Sequence, residues 1–373
     1  MALTLETITK IIARNLALSP AALYDAFAPA NQLDIPAVIN FRQAHLGKSI
    51  AWQDEAYLHW RYDFSGNVTA GLNRLWLLKI DGEILGIVGL DYVQLSCRGE
   101  RINASNPLDL LVDTKWDGLG VGVWMTMVLQ HEYSLMFAMG ATKSSKALVQ
   151  KLFTPMPDLG NWKYLLNSSR YLHKKIHPLL LPLAVKCVDV ALIVARKWLG
   201  RGKKKPWQLA PVLNFALHNS QLDVLMESYK DTLWILRQRS ADFLQWRFLT
   251  NPRRHYDVLG LFKDGALAGY AVYHIKERSH LHIDDLFTAA NNLKGLQALI
   301  VTLLETASAA GVDLVSFTAH NELWQTLMIP LGFTFRDDGH LFGVAVQDSE
   351  LQAHFIDPSR WWVTSCDTHS EGF

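Results

Sequence analysis

The chain has 373 residues and a mass of 42.1 kDa, a length that predicts two domains or one large domain. Half of the residues are hydrophobic and 19% are charged, with 36 Lys and Arg against 35 Asp and Glu. This composition excludes disulfide-stapled miniproteins, disordered polyelectrolytes and globally basic nucleic-acid binders. We therefore expect a globular protein with sizeable hydrophobic cores and no DNA partner.

The N-terminus lacks the features of a secretion signal. Polar side chains such as Glu6 and Lys10 interrupt apolar positions at helical spacing, whereas a signal peptide needs a continuous apolar core. The cysteines are odd in number and widely spaced, which argues against a disulfide framework or a CxxC metal site. They are Cys97, Cys187 and Cys366. We therefore expect a cytoplasmic protein in a reducing compartment, with no bound metal.

The second half of the sequence resembles the first. Residues 57–62 read Tyr-Leu-His-Trp-Arg-Tyr, and residues 243–248 read Phe-Leu-Gln-Trp-Arg-Phe. Downstream of each match an Asp-Gly pair stands between two apolar runs, at Asp81-Gly82 and at Asp264-Gly265. An Asp-Gly pair in this setting predicts a β-hairpin, so each copy is expected to contain one.

Each copy continues with a longer strand and a helix. The strands are predicted at 107–112 and 283–287, and apolar residues recur at helical spacing at 121–129 and 296–307. The sequence therefore predicts a mixed α/β protein with two related units, which the terminal segments either cap or bridge. The expected organisation is an N-terminal helical extension at 1–30, a first domain at 31–168, a basic linker at 169–207, a second domain at 208–345 and a C-terminal tail at 346–373.

A glycine-rich sequence follows the strand of the first copy. Residues 116–122 read Trp-Asp-Gly-Leu-Gly-Val-Gly, immediately before the predicted helix. Backbone N–H groups in such a strand-to-helix turn can close on a phosphate group, although a glycine-rich turn without a ligand is an alternative interpretation. The second copy has lost these glycines, so the first copy is the candidate for binding a phosphate.

These residues resemble the GNAT superfamily of acyl-CoA-dependent N-acyltransferases, in particular its tandem members with two such domains. The resemblance rests on Asp109-Leu110-Leu111-Val112, on residues 117–122, on the hairpin before them, and on Leu331-Gly332-Phe333. It covers roughly residues 30–165 and 210–345. The resemblance implies two GNAT-like domains, each with a mostly antiparallel, splayed central sheet flanked by helices.

The resemblance also implies a cofactor, acetyl-CoA or another acyl-CoA. The residues that would bind it are Leu111, Val112, Gly118, Leu119, Gly120, Val121 and Gly122. The acceptor amine would attack the thioester directly, and Asp109 is the candidate base that removes its proton. The alternative is a structural role for Asp109, since Asp285 occupies the same place in the copy without glycines.

Two departures from the family pattern weaken the expectation of catalysis. Asp117 stands where the family usually has Arg or Gln, and a carboxylate repels a pyrophosphate unless it points to solvent. The frequent general-acid tyrosine is missing, with Val149 and Met328 near the expected positions. A thiolate leaves without much help, so the missing acid does not exclude the reaction.

The main functional hypothesis is an N-acyltransferase that moves an acyl group, acetyl in the first instance, to the amine of a small molecule or sugar. A second hypothesis is a non-catalytic GNAT-fold module for binding or assembly. A third is a transferase that builds peptide bridges from aminoacyl-tRNA.

Two smaller motifs have open interpretations. His280, His282 and Asp284 share one face of a strand, which suits a metal site, an HxxxD acyltransferase motif or a polar face in the cleft of the second domain. The repeated Trp-Arg pairs at 60–61 and 246–247 either bind an acceptor anion or pack in the core.

Residues 170–206 carry ten Lys and Arg and a single acid, Asp189, which gives this segment a net charge of +9. An apolar stretch at 177–199 has its charges on one helical stripe and is therefore a poor candidate for a spanning helix. It predicts an amphipathic helix that is buried between the two units or lies on an anionic membrane through residues 174–205.

Overall fold

The structure is a computed structural model, and it describes residues 4–47, 55–65, 73–141, 145–167, 207–277, 279–320 and 322–368. The predicted basic linker at 169–207 lies outside the described residues except for Trp207, and so does the amphipathic helix predicted within it. No helix in the described part of the chain is long and apolar enough to cross a membrane.

Two helices open the chain, α1 (Leu5–Asn15) and α2 (Pro20–Asp25), and each is capped by a hydroxyl side chain that accepts a backbone N–H. Helix α1 buries Ile8 and Ile12, as its helical spacing predicts. The last residues of the predicted extension form a short strand, β1 (Phe27–Pro29), which the sequence analysis did not predict. This strand joins the edge of the sheet, so the extension caps the first half.

After the N-terminal extension, the described residues of the first half (up to residue 167) form four α-helices and five strands. They are α3 (Ile35–Leu46), α4 (Glu55–Arg61), β2 (Arg74–Ile80), β3 (Glu83–Cys97), β4 (Glu100–Val112), α5 (Val121–Glu132), β5 (Leu135–Ala141), α6 (Lys146–Leu152) and β6 (Thr154–Leu165).

The second half has a closely related order and is followed by the tail. Its elements are β7 (Gln208–Pro211), α7 (Asn219–Glu227), β8 (Ile235–Arg237), α8 (Ala241–Leu244), β9 (Asp257–Lys263), β10 (Ala266–Lys276), β11 (His280–Thr288), α9 (Leu293–Ala309), β12 (Leu314–His320), α10 (Glu322–Met328) and β13 (Thr334–Val346). The tail adds α11 (Ser349–Phe355) and β14 (Val363–Thr364).

The strands of both halves form one continuous sheet. Its main path is β1-β2-β3-β4-β5-β13-β6-β12-β11-β10-β9-β7, with β8 paired to β3 and β14 to β12. The last strand of each half crosses over: β13 pairs with β5 and β6, and β6 pairs with β13 and β12. The sheet therefore runs without interruption across the predicted domain boundaries, because each half donates a strand to the other.

Both predicted hairpins are present. The β2–β3 turn has Asp81 at φ 50° and Gly82 at φ 83°, and the β9–β10 turn has Asp264 at φ 51° and Gly265 at φ 79°. Two successive positive φ values are typical of the type I′ turn that Asp-Gly favours, because this turn matches the twist of the paired strands. The mixed α/β class and the predicted strand-helix order in each copy are likewise confirmed.

Separate hydrophobic clusters stabilise the two halves, and a further cluster lies at their junction. In the first half α1 and α5 pack on the sheet around Trp124, whose Nε1–H donates to the Thr9 hydroxyl at 3.0 Å. In the second half α9 covers the opposite end of the sheet. The junction cluster includes Phe137 from β5, Phe342 from β13 and Trp361 from the tail. Its apolar contacts hold the two halves together.

Candidate functional site

A cavity opens in the first half where two parallel strands separate. Strands β4 and β5 pair at a single position, Ser105 with Met136, and diverge beyond it. The resulting cavity has a volume of about 290 Å³. Its walls are mainly apolar and include Leu46, Ile87, Leu108, Leu111, Leu148 and Val149. We name this space the acyl cavity, after the acyl-CoA that the sequence resemblance implies.

Asp109 lies in the wall of the acyl cavity. It has a positive φ of 52° in a β-bulge, where the register with β3 shifts between Ile87 and Gly89. Its carboxylate accepts hydrogen bonds from the Tyr62 hydroxyl at 2.7 Å and from the Arg42 guanidinium at 3.0 Å. The Asp109 side chain keeps 26% of its surface exposed, whereas that of Arg42 keeps 1%. A ligand in the cavity can therefore reach Asp109 but hardly Arg42.

The protonation state of Asp109 follows from these partners. Burial opposes ionisation, but the charge of Arg42 and the hydrogen bonds from Tyr62 and Arg42 outweigh it and lower the pKa of Asp109. Burial, reinforced by the charge of Asp109, raises the pKa of Tyr62 well above its ordinary value. At neutral pH Asp109 is therefore an anion and Tyr62 a neutral donor.

Gly89 makes room for the Tyr62 hydroxyl. A Cβ atom on Gly89 would stand 2.2 Å from Tyr62 Oη and 2.8 Å from its Cζ, far inside van der Waals contact. Only a glycine at this point of β3 allows Tyr62 to reach Asp109.

The glycine turn lies at the N-terminal end of α5. Gly118 has φ 75° and Gly120 φ 85°, so both are in the left-handed region that favours glycine. The N–H groups of the first helical turn, at Val121 and Gly122, have no partner within the helix and can meet an anion. Leu119 lies between the glycines and is 41% exposed.

Two contacts restrict this turn. The Asp117 side chain is exposed and its Oδ1 accepts the Gly118 N–H at 2.9 Å, so one amide of the predicted cradle binds its own neighbour. A Cβ on Gly120 would stand 3.5 Å from Ile8 Cδ1, since helix α1 lies over this glycine. The turn therefore has fewer amides to offer than the sequence suggests, and one side of it is covered by protein.

The other predicted cofactor-binding residues lie between the cavity and the turn. Leu111 lines the acyl cavity, and Val112 Cγ2 would contact a Cβ placed on Gly122. Strand β4 thus leads directly from Asp109 to the N-terminus of α5. Val149, near the place of the expected tyrosine, also lines the cavity, so that wall carries a methyl group where the family pattern has a hydroxyl.

The matching space in the second half is filled by the tail. Strand β14 pairs with the end of β12 through Ala319 and His320. Asp285, the counterpart of Asp109, is fully buried, and its carboxylate binds Arg239 and the hydroxyls of Tyr270 and Thr364. Arg239 also binds Asp367 of the tail at 2.9 Å. A ligand therefore has no access to Asp285 in this conformation.

The repeated Trp-Arg pairs meet at the junction of the halves. The indoles of Trp60 and Trp246 stack with centroids 5.1 Å apart and planes at 18°. Both rings are half-buried, and they line a second cavity of about 780 Å³ between α4 and β3 of the first half and the β8–α8 region of the second. Below, this space is called the inter-half groove. The stacked tryptophans and the buried Arg61 and Arg247 agree with the packing interpretation, and the two tryptophans also border an open space.

The histidine motif of β11 forms a hydrogen-bonded cluster. His282 bonds the hydroxyls of Ser316 at 2.7 Å and Ser365 at 2.8 Å, and His280 bonds Ser316 at 2.6 Å. Burial lowers the pKa of both imidazoles to about 4. Among the described residues no group of three His, Cys, Asp or Glu is arranged to hold a metal ion. The cluster ties the tail to β11 and β12.

The sequence makes Asp109 a candidate but does not reveal the partners of its carboxylate. Arg42 is 67 residues and Tyr62 is 47 residues away in sequence, and only folding brings them to Asp109. Tyr62 belongs to the repeated motif, where its counterpart is Phe248. Its additional hydroxyl was the one sign in the sequence that this position has a polar partner.

The sequence matches no protein-family model and no curated protein. The structure is similar to solved structures of acyltransferases. A conserved protein of Enterococcus faecalis V583, described as a probable N-acyltransferase, has a TM-score of 0.56 and 10% identity over 89% of this chain and 74% of its own. A GCN5-related N-acetyltransferase from Anabaena variabilis has a TM-score of 0.56 and 12% identity over 86% and 72%.

N-myristoyltransferase from Saccharomyces cerevisiae, solved with bound myristoyl-CoA, has a TM-score of 0.51 and 10% identity over 86% of this chain and 82% of its own. These likenesses confirm the GNAT fold that the sequence resemblance implied. At such identities they concern the fold alone.

Proposed function

We propose that the protein is an acyl-CoA-dependent N-acyltransferase that transfers an acetyl or other short acyl group to the amine of a small molecule or sugar. The observation that carries this proposal is the divergence of β4 from β5, which opens an apolar cavity beside an accessible carboxylate. The glycine turn lies at the end of the same strand.

The chain's own residues suit an acyl thioester. The N–H groups of Val121 and Gly122 would face the phosphates, and the apolar walls of the acyl cavity would surround the acyl-pantetheine end. The cavity volume of about 290 Å³ favours a short acyl group. When bound, acyl-CoA would supply the acyl group as a thioester that an amine can attack.

Asp109 would hold the proton that the acceptor amine loses. It is ionised and partly exposed, whereas Tyr62 and Arg42 fix its orientation. Arg42 lowers the pKa of Asp109, which keeps the carboxylate ionised to lower pH but makes it a weaker base. Asp109 can hold Tyr62 and Arg42 in place and also accept a proton. Both partners donate to its Oδ2 atom, so the Oδ1 atom is left for the proton.

The difference between the clefts of the two halves predicts one cofactor per chain. The tail fills the second cleft and Asp285 is fully buried, so only the first half would bind acyl-CoA.

Calorimetry with acetyl-CoA tests this proposal. We expect one site per chain in the wild type and a strong loss of affinity in Leu148→Trp, since Leu148 lines the acyl cavity. Ala147→Trp is the control, because Ala147 is exposed on the same helix. No binding to the wild type, or equal binding to the two variants, would contradict the proposal. Release of free thiol with a panel of amines would then measure turnover.

A non-catalytic binding module is the second candidate function. It is favoured by the contacts of Asp117 with Gly118 and of Ile8 with Gly120, which restrict the glycine turn. Binding of acetyl-CoA without turnover on any amine would support this candidate.

For the basic segment at 174–205 both interpretations stand as proposals, an amphipathic helix buried between the two units and contact with an anionic membrane. Co-sedimentation with phosphatidylserine vesicles that disappears at high salt would support membrane contact. Binding that does not depend on anionic lipid would argue against it.

A further inference from the structure

We propose that the inter-half groove binds the acyl acceptor, and that this acceptor is an amino sugar or a similarly hydroxylated amine. The inference rests on the proposed function in so far as the ligand is called an acceptor. The residues that line the groove support a sugar site whether or not the sugar is an acyl acceptor.

The groove has the size and position of a ligand site. Its volume of about 780 Å³ lies within the usual range of small-molecule pockets, about 300–1,000 Å³. Both halves contribute to it, and such junctions are frequent places for binding sites.

The lining of the groove differs in kind from that of the acyl cavity. No aliphatic side chain occurs among the described residues that line the groove, whereas leucine is the most frequent residue in the walls of the acyl cavity. An acyl chain would therefore gain little apolar burial in the groove. Its aromatic rings and neutral amides suit a ligand with both C–H faces and hydroxyl groups.

Two amide side chains stand next to each other in the groove. Gln94 of β3 and Gln238, which follows β8, are joined by a backbone hydrogen bond from Gln238 N to Gln94 O at 2.8 Å. Both are half-buried, and their side chains line the groove. A side-chain amide has both a hydrogen-bond donor and an acceptor, and so does a sugar hydroxyl. Each glutamine can therefore donate a hydrogen bond to a hydroxyl or accept one from it.

The groove also suits an ammonium group. Asp242 lies exposed on its rim, and the rings of Trp60, Phe243 and Trp246 line its wall. The Asp242 carboxylate attracts a cation, whereas Arg61 and Arg237, which also line the groove, already lie over these rings.

One residue connects the groove with the acyl cavity. The Tyr62 ring lines the groove, and its hydroxyl donates to Asp109, which lines the acyl cavity. Direct transfer requires donor and acceptor sites to adjoin, since the amine must reach the thioester carbon. The Tyr62–Asp109 hydrogen bond runs from the groove to the acyl cavity, so the two spaces lie one side-chain pair apart.

The test uses ligand-detected saturation-transfer NMR on the full chain with D-glucosamine as the probe. D-Glucose supplies the hydroxyls without the amine, and n-butylamine supplies the amine without the hydroxyls. We expect glucosamine to bind best and to bind about fivefold more weakly to Gln94→Leu and Gln238→Leu, since each loses one hydrogen-bonding amide. Gln352→Leu is the control, because Gln352 is exposed on α11, away from the groove.

The outcomes separate the two proposals. Absence of glucosamine binding, equal binding in the three variants, or equal affinity for n-butylamine would overturn the sugar site. If glucosamine binds as expected but acetyl-CoA does not bind, the proposed transferase function fails and the sugar site stands. If acetyl-CoA binds to the first half and glucosamine does not bind, the acceptor inference alone fails.

Discussion

The indoles of Trp60 and Trp246 exchange hydrogen bonds across the junction of the two halves. Trp60 Nε1 donates to the Trp246 carbonyl at 2.9 Å, and Trp246 Nε1 donates to the Trp60 carbonyl at 2.8 Å. Because the rings also stack, the repeated motif binds to its own copy. The repeat in the sequence thus creates a symmetric contact that joins the halves beside the groove.

A double-mutant cycle tests this contact. Trp60→Leu and Trp246→Leu each remove one ring of the stacked pair and one hydrogen bond, and loss of the hydrogen bond alone should cost about 0.5–1.5 kcal/mol of the free energy of unfolding. Loss of the stack should appear as a coupling energy of about 0.5–1.5 kcal/mol in the double variant. Urea unfolding measures these values, and Trp116→Leu, at a half-buried tryptophan elsewhere, is the control. Strictly additive effects would contradict a direct contact.

Gly89→Ala should destabilise the protein. The new Cβ would stand 2.2 Å from Tyr62 Oη, so Tyr62 must move and its bond to Asp109 must break. Overpacking of this kind costs about 1–3 kcal/mol, measurable by urea unfolding. Gly86→Ala is the control on the same strand, because its Cβ would meet the flexible Met125 side chain at 3.0 Å. An unchanged midpoint in Gly89→Ala would show that Tyr62 is not fixed as described.

Asp109→Asn should reduce both stability and turnover. It leaves the buried Arg42 charge without its carboxylate, which should cost about 1–3 kcal/mol given the partial exposure of Asp109. Acetyl-CoA affinity should change little, since Asp109 lies away from the glycine turn. Unchanged turnover in a folded variant would remove Asp109 from the mechanism.

Arg42→Met gives an independent measure of the same pair. Without Arg42 the pKa of Asp109 should rise, so the acid limb of the pH–rate profile should move to higher pH. A purely structural role of Asp109 predicts a lower amount of folded protein and no movement of that limb.

Stability should fall as the pH decreases from 6.5 toward 4. Burial lowers the pKa of His280 and His282 to about 4, whereas the unfolded chain binds protons near the ordinary value of 6.5. Between these values the unfolded state holds more protons, so acid favours unfolding. His282→Gln should flatten this dependence in urea unfolding at several pH values. The exposed His59→Gln should leave it unchanged, and a flat wild-type profile would contradict the burial of the cluster.

Arg239→Met should be among the most destabilising single changes at the tail. Asp285 and Asp367 would be left in the core without their common cation, at a cost of about 3–5 kcal/mol. Arg360→Met is the control, since Arg360 and Asp357 are 25% and 34% exposed and such pairs contribute at most about 1 kcal/mol. Similar losses in both variants would show that the tail is not anchored through Arg239.

The sequence determined the features that depend on local order along the chain. The Asp-Gly turns predicted both hairpins because their backbone angles suit that dipeptide, and the spacing of apolar residues predicted α5 and α9. The repeat predicted two related units. Asp109 and the glycine turn stood out because they adjoin in sequence at the end of one strand.

Tertiary structure alone decided which groups surround these residues. Arg42 and Tyr62 reach Asp109 from distant helical segments, and Ile8 reaches Gly120 from α1, because packing of the N-terminal elements on the sheet brings them there. The exchange of β6 and β13 likewise depends on pairing between strands that lie far apart in the chain.

The difference between the two clefts is also a tertiary effect. Asp109 and Asp285 look equivalent in the sequence, yet only Asp285 is covered by the tail, where Thr364 donates to its carboxylate and Asp367 pairs with its partner Arg239. The sequence showed where a carboxylate stands in each copy. The path of the tail through the second half decided which of the two faces an open cavity.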